Sequence, residues 1–300
     1  MKTITILSGK GGVGKSSVTA SLAVLLAKKH KIVAADCDVD APNLGLLFGI
    51  KKFKNLERVS TNYKAFVNKK IKQCKNVKRL ISVCAFHAIS LDKGMPVINK
   101  FLCEGCGACK LLCSEGIELK KVENAKVGET KTNYGFYIVS GQIKVGESGS
   151  GNVVEVVKER ARRIAQEIKA DLIIVDSSAG IGCPVIASIR NSDFVVAITE
   201  PTPSALHDLK RALKVVEHFK ISYGIIINKY DLNKKFAKKI ENFAKKHKIP
   251  TLGRIPYKKD FVDAIIKMKP VVEINPKYKK IFEGIINKIN KNYNRNPLFN

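Results

Sequence analysis

The stretch "SGKGGVGKSS", Ser8–Ser17, constrains the fold of this chain more than any other. It follows an apolar, β-branched run at Ile4–Leu7 and precedes a helical pattern through Leu22, Val24, Leu25 and Leu26. Strand, glycine-rich loop and helix in that order build a phosphate-binding loop. Glycines at positions 9, 11, 12 and 14 let backbone N–H groups turn inward without Cβ clashes, making an anion nest at a helix N-terminus. Lys15 is placed to reach the β- and γ-phosphates, and the Ser16 hydroxyl to meet Mg²⁺.

A loop of this kind needs a parallel sheet behind it, and the rest of the chain supplies one. In "KIVAADCDVDAPN" an apolar strand at Ile32–Ala35 delivers Asp36, Asp38 and Asp40 at its C-terminal end, where ligands bind in open α/β sheets. Grouped carboxylates repel one another unless a cation or a water-activating role compensates. A second apolar strand in "DLIIVDSSAGIGCP" ends at Asp176 and is followed by Gly180. An acid there can hold Mg²⁺ through water, and the glycine can swing to sense the γ-phosphate. "FVVAITEPTPSALHDL" and "YGIIINKYDL" continue the strand–loop alternation, with helical patterns at 153–169, 205–219 and 235–247. The expected fold is α/β, with a doubly wound, mostly parallel sheet.

These motifs carry a family resemblance. "KGGVGKS", with an extra lysine at Lys10, resembles the deviant phosphate loop of the MinD/ParA ATPases, and the likeness runs through about 1–57 and 125–275. The resemblance implies ATP and Mg²⁺ as cofactors and a nucleotide cradle of Gly11, Gly12, Val13, Gly14, Lys15, Ser16 and Ser17. It further implies that Lys10 crosses a dimer interface to the partner's nucleotide and that Asp38 orients the attacking water. Asp36 and Asp176 would sit around Mg²⁺, Gly180 in the second switch, and Asn228 and Pro256 on the adenine side. Ser16–Ser17 replace the more usual paired threonines, and Ser178–Ala179 stand where a proline is common before the switch glycine. Hydrolysis is expected to be slow and partner-stimulated.

Between about residues 64 and 120 the alternation breaks. "FLCEGCGACKLLCSEGI" spaces Cys103, Cys106, Cys109 and Cys113 as C-x2-C-x2-C-x3-C, the run that holds an iron–sulfur cluster by thiolate. The segment resembles the ferredoxin-like insert of some MinD-superfamily ATPases, which divides the chain into an ATPase part at 1–60, an insert at 61–124 and an ATPase part at 125–300. Such inserts carry two runs, the fourth cysteine of each ligating the other's cluster. The earlier run keeps Cys74 and Cys84 but has Val77 and Leu80 at its middle positions. Crossed ligation then leaves one [4Fe–4S] cluster on Cys84, Cys103, Cys106 and Cys109. The local alternative takes Cys113 as the fourth thiolate, and a zinc site is the chemical rival. Cys183 and Cys37 read as small buried residues.

The expected function is an ATPase that couples dimer closure to electron transfer or cluster transfer. Its partners would be a second copy or a similar ATPase, together with a redox or apo iron–sulfur protein. The alternative is a positioning ATPase of ParA or MinD type whose basic surface meets DNA or membrane, its metal site being structural or sensing. Fifty-four Lys and Arg against 26 Asp and Glu give a net charge of +28, a field that attracts polyanions. The lysines are scattered and aromatic interleaving is sparse, so nucleic acid is the less favoured partner. The helical stripe of Ile281, Phe282, Ile285, Ile286 and Ile289 reads as packing on the sheet, so a membrane is not expected as a partner. The N-terminus lacks the pattern of a secretion signal, and the expected location is cytoplasmic. "KVGESGSGNVV", from Lys144, reads as a flexible connector, and the tail "NYNRNPLFN" as loose.

Overall fold

A computed structural model describes residues 1–74 and 77–293. Lys75 and Asn76 of the first cysteine run, and the tail from residue 294, lie outside the described residues.

The chain enters through β1 (Lys2–Ser8), α1 (Lys15–Leu26), β2 (Ile32–Cys37) and β3 (Lys54–Val59). It then builds a small unit from β4 (Asn62–Val67), α2 (Val77–Val83), β5 (Ile89–Asp92), β6 (Met95–Ile98), α3 (Ala108–Leu112) and β7 (Ile117–Val122). It returns through β8 (Ala125–Lys131), β9 (Tyr137–Ile143), α4 (Ser150–Glu167), β10 (Leu172–Ala179) and α5 (Cys183–Ile189). Three more strands follow, β11 (Phe194–Thr199), β12 (Ser222–Asn228) and β13 (Thr251–Ile255), with α6 (Pro203–His218) and α7 (Lys234–Lys246) between them. Helices α8 (Lys259–Ile266), α9 (Val271–Ile274) and α10 (Lys277–Asn292) close the described chain.

Among the described residues, nine strands form one sheet in the order β13-β12-β11-β1-β10-β2-β9-β8-β3. Neighbours from β13 to β9 pair in parallel, while β8 and β3 complete one edge antiparallel. Side chains alternate between the faces of a strand, and both faces here are apolar. Ile4, Ile6, Ala34, Ile174, Val196 and Ile198 pack with α1 and the buried stripe of α10, which is Tyr278, Phe282, Ile285 and Ile289. Val33, Ala35, Ile173 and Val175 face Val153, Val157 and Ala161 of α4 on the other side. The sheet is therefore doubly covered, and the α10 stripe is core.

The β3 strand, "KNLERV", is mostly exposed. It lacks the apolar alternation that would have announced an edge strand.

The small unit has its own core, in which Ala65, Ile71, Leu80, Ile89, Ile98 and Ile117 pack with Cys103, Cys109 and Cys113. Leu80 is fully buried there and Val77 packs against this core, so the run's two non-cysteine positions serve the packing. Asn62 Nδ2 donates to the Ser148 carbonyl at 2.6 Å, Thr61 N to Asn124 Oδ1 at 2.8 Å, and Lys64 pairs with Glu147 at 2.9 Å. The expectation of a flexible connector at 144–154 is corrected by these bonds, which pin it between the small unit and α4. Among the described residues no helix is long and apolar enough to cross a membrane.

Candidate functional site

The loop between β1 and α1 meets the C-terminal ends of β2 and β10 because β10 lies beside both β1 and β2. Its geometry depends on glycine: Gly14, at the head of α1, has φ +91°, and a Cβ there would come within 2.4 Å of Asn228 Nδ2. Asn228 Nδ2 donates to the Val13 carbonyl at 2.6 Å, so the end of β12 holds the loop from behind. Val13 is buried as the loop's apolar anchor. The first N–H groups of α1 have no partner within the helix, and among the described residues no side chain caps them.

A cavity of about 530 Å³ opens in front of the loop. Gly11, Gly12, Gly14, Lys15, Ser16, Ser17 and Asp38 line it, with Asn43, Leu46, Leu47, Ile265 and Met268 opposite. Lys15 is only 7% exposed and donates to Asp176 Oδ1 at 2.9 Å, with Asp38 Oδ2 at 3.6 Å. Thr19, one helical turn beyond Lys15, donates to the same Asp176 oxygen at 2.8 Å. The other oxygen, Asp176 Oδ2, is buried without a partner among the described residues. Asp36 accepts from Asp38 N at 3.3 Å and Leu44 N at 3.1 Å, which fixes the turn leaving β2.

Three carboxylates around one ammonium perturb each other. Burial pushes the Asp36 carboxyl up to about 8, and the Asp176 charge adds to the effect. Burial also raises Asp38, with Lys15 pulling the other way. For Lys15, burial opposes the charge, yet the attraction of Asp176, Asp38 and Asp36 holds the ammonium above its ordinary value. The set carries more negative charge than Lys15 alone can neutralise. That excess, the orphaned Asp176 oxygen and the nearby Ser16 hydroxyl fit a hard divalent cation with oxygen ligands.

Lys10 and Lys229 share Glu200: Lys10 Nζ stands 3.4 Å from Oε1 and Lys229 Nζ 2.9 Å from Oε2. Lys229 Nζ also donates to the Gly12 carbonyl at 2.9 Å. Burial would raise the Glu200 carboxyl, but the two lysines hold it below the usual carboxylate range. Gly180 has φ +101° and donates its N–H to the Ser8 carbonyl at 2.9 Å, which ties the switch loop to the strand before the phosphate loop. Pro256, after β13, is not part of the cavity wall, whereas Ile265 and Met268 are.

The family pattern described as the CobQ/CobB/MinD/ParA nucleotide binding domain matches residues 4–271. The chain belongs to this family. It is a P-loop ATPase, and its fold is that of the MinD and ParA enzymes. An uncharacterized protein of Methanocaldococcus jannaschii is 42% identical over 231 residues, covering 77% of this chain and 79% of the relative. A second uncharacterized protein of that organism is 30% identical over 275 residues, covering 92% and 93%. The septum site-determining protein MinD of Pyrococcus horikoshii, solved with Mg-ADP, superposes with a TM-score of 0.58 over 95% of this chain and 93% of its own, at 19% identity.

The sequence-predicted cysteines fall into two places. Cys84, Cys103, Cys106 and Cys109 line one small cavity, and Cys74 and Cys113 line another. The Cys103 and Cys84 sulfurs accept backbone N–H groups from Ala65 at 3.4 Å and Ala88 at 3.3 Å. Among the described residues, no three His, Cys, Asp or Glu side chains are gathered closely enough to hold a metal ion. Cys37 is buried, but Cys183 is exposed, which corrects its reading as a buried residue: the first turn of α5 projects outward there.

Proposed function

We propose that this chain is a nucleotide-switched, dimerising ATPase of ParA/MinD type that docks through its basic surface on a polyanion, duplex DNA in the first instance. The observation that carries the nucleotide part is the arrangement at Lys15: one buried ammonium between Asp176 and Asp38, at the floor of an open cavity behind a glycine nest. Gly11, Gly12, Gly14 and the first N–H groups of α1 bind the phosphates, and Lys15 neutralises their charge. Mg²⁺, held by Ser16 with Asp36 and Asp176 behind it, would supply charge neutralisation at the transferring phosphoryl group. Asp38 accepts a proton of the attacking water and orients it. Lys10 leaves Glu200 and reaches the nucleotide of a second copy, and Gly180 turns toward the γ-phosphate position.

The docking part rests on α6 and α7, which pack side by side over β11 and β12. Lys210, Lys214, Lys234, Lys235, Lys238, Lys239, Lys245 and Lys246 are exposed on them. The burial of the α10 stripe favours DNA over a membrane anchored through that helix. The test is fluorescence anisotropy with duplex DNA, using the Asp38→Ala chain to hold ATP. ATP should tighten binding several-fold over ADP, with an affinity that falls steeply with salt, and Lys238→Glu/Lys239→Glu should abolish it. Binding to anionic vesicles alone, or no nucleotide effect, overturns the choice of DNA.

A second reading has one observation in its favour. The grouping of Cys84 with Cys103, Cys106 and Cys109 about one cavity, and of Cys113 elsewhere, supports a metal-binding insert at 61–124 with crossed ligands. A [4Fe–4S] cluster there would supply one-electron exchange with a redox or apo iron–sulfur protein. Iron and acid-labile sulfide per chain after anaerobic purification test it. About four of each, lost in Cys84→Ser and kept in Cys113→Ser, support the reading; zinc, or no metal, removes it.

A further inference from the structure

The two cysteines outside the four-thiol cavity come from distant parts of the sequence, Cys74 from before α2 and Cys113 from the end of α3, yet both belong to one packed cluster and line one cavity. Neither is in a disulfide. Cys113 is 6% exposed, with Gly116 packed against its sulfur. A Cβ on Gly116 would come within 2.8 Å of that sulfur, so the backbone closes over it. Cys74 is half-buried and the more accessible of the two. Both stand on the wall of a cavity of about 270 Å³, with Gln73, Arg79, Leu112 and Glu115 as neighbours. That volume admits a small disulfide or the cysteine tip of a protein carrier.

We infer that Cys74 and Cys113 form a reversible dithiol/disulfide site that exchanges with an external disulfide entering this cavity. Exposure sets the order of events. The Cys74 thiolate attacks one sulfur of a disulfide RSSR, forming a mixed disulfide and releasing RS⁻. The Cys113 thiolate then attacks the Cys74 sulfur, so that the Cys74–Cys113 bond forms, the bond to the carrier breaks and a second RS⁻ leaves. Two electrons pass from the protein to RSSR, and the two thiol protons end on the released thiolates or in solvent. A dithiol in a reducing compartment is reversible and redox-sensing rather than structural.

The consequence follows from where Cys113 sits. It caps α3, and its N–H donates to the Cys109 carbonyl at 3.1 Å. Oxidation therefore ties the end of the helix that carries Cys109 to the segment before α2. The redox state of one cavity is thereby passed to a thiol of the other. This inference does not depend on what the four-thiol cavity holds.

The test uses the full chain as purified anaerobically, equilibrated with mixtures of glutathione and glutathione disulfide, alkylated and mapped without reduction. The expected product has two fewer thiols than the eight cysteines of the sequence and one linked peptide pair joining Cys74 to Cys113, fully reversed by dithiothreitol. Cys113→Ser should instead trap one glutathione on Cys74, a readout that a purely packing role for Cys113 would not give. Free Cys74 and Cys113 at every poise, pairing of either with Cys84, Cys103, Cys106 or Cys109, or protection of Cys113 by bound iron would each overturn the proposal.

Discussion

Replacing Lys158 by methionine should cost this protein about 3 kcal/mol of stability. Lys158 lies on α4, is 2% exposed, and points its ammonium at the end of α5. It donates to the carbonyls of Ala187 at 2.6 Å, Ser188 at 3.0 Å and Arg190 at 2.6 Å. An ammonium has three donors, so every one is used, and the last carbonyls of α5 gain partners that the helix cannot supply. Hydrogen bonds from a charged donor contribute roughly 1.5–3 kcal/mol each. Against them stands burial, which depresses the ammonium to about 8 from 10.5, a cost of roughly 3 kcal/mol. The balance is a net contribution of about 1.5–6 kcal/mol. Methionine keeps most of the apolar stem but cannot donate, so the Ala187 and Arg190 carbonyls lose this partner and Ser188 keeps only Thr5 Oγ1 at 3.3 Å. Chemical denaturation at pH 7 should show the loss, and Tm should fall by about 5 °C. Nucleotide affinity should hold, since Lys158 does not line the cavity. A loss below about 1 kcal/mol would refute the claim that α4 fastens α5 through this side chain.

Other perturbations give distinct outcomes. Asp36 keeps its proton up to about 8 in the folded chain and releases it near 3.8 when unfolded. The folded state therefore binds the extra proton between those values, and this group's stabilisation is lost as pH rises through about 8. Denaturation midpoints of the nucleotide-free protein should fall from pH 5.5 to 8.5 more steeply than those of Asp36→Asn; parallel slopes would contradict this. Asn228→Ala removes the bond to the Val13 carbonyl and should cost about 1–3 kcal/mol while weakening binding of a fluorescent ATP analogue; unchanged affinity would show that the loop holds its shape without that support. Glu200→Gln frees Lys10 from a partly exposed ion pair worth up to about 1 kcal/mol. ATP-dependent self-association should tighten by up to about fivefold, and weakening in sedimentation equilibrium would count against a parked Lys10.

Much of the nucleotide site was legible because its signals are short and local. Glycine spacing before Lys15, and acids ending the apolar strands β2 and β10, need no knowledge of distant contacts. By the same signal Glu200 could have been read: it follows the apolar strand β11. Thr19 was also within reach, lying four residues past Lys15 and so on the same helical face. Ile265 and Met268 were not, since α8 reaches the cavity through a tertiary approach that no local pattern announces. Lys158 was hidden for another reason. It sits in "VVKERARRI", a charged helical stretch that reads as solvated, and only the end of α5 explains its burial. The antiparallel edge is not announced in the sequence because β3 is mostly exposed. In the insert, spacing told which positions carry thiols, whereas their division into two cavities depends on how α2, α3 and β5 pack.

In the proposed function, ATP drives this chain to pair with itself through Lys10. Light scattering coupled to size exclusion should report it most directly, on Asp38→Ala and on Asp38→Ala/Lys10→Ala, with Mg²⁺ and either ATP or ADP. Asp38→Ala with ATP should show twice the 33.1 kDa chain mass, and the mass of a single chain with ADP or without Lys10. A mass that ignores the nucleotide, or an ATP-dependent dimer that survives loss of Lys10, would contradict it.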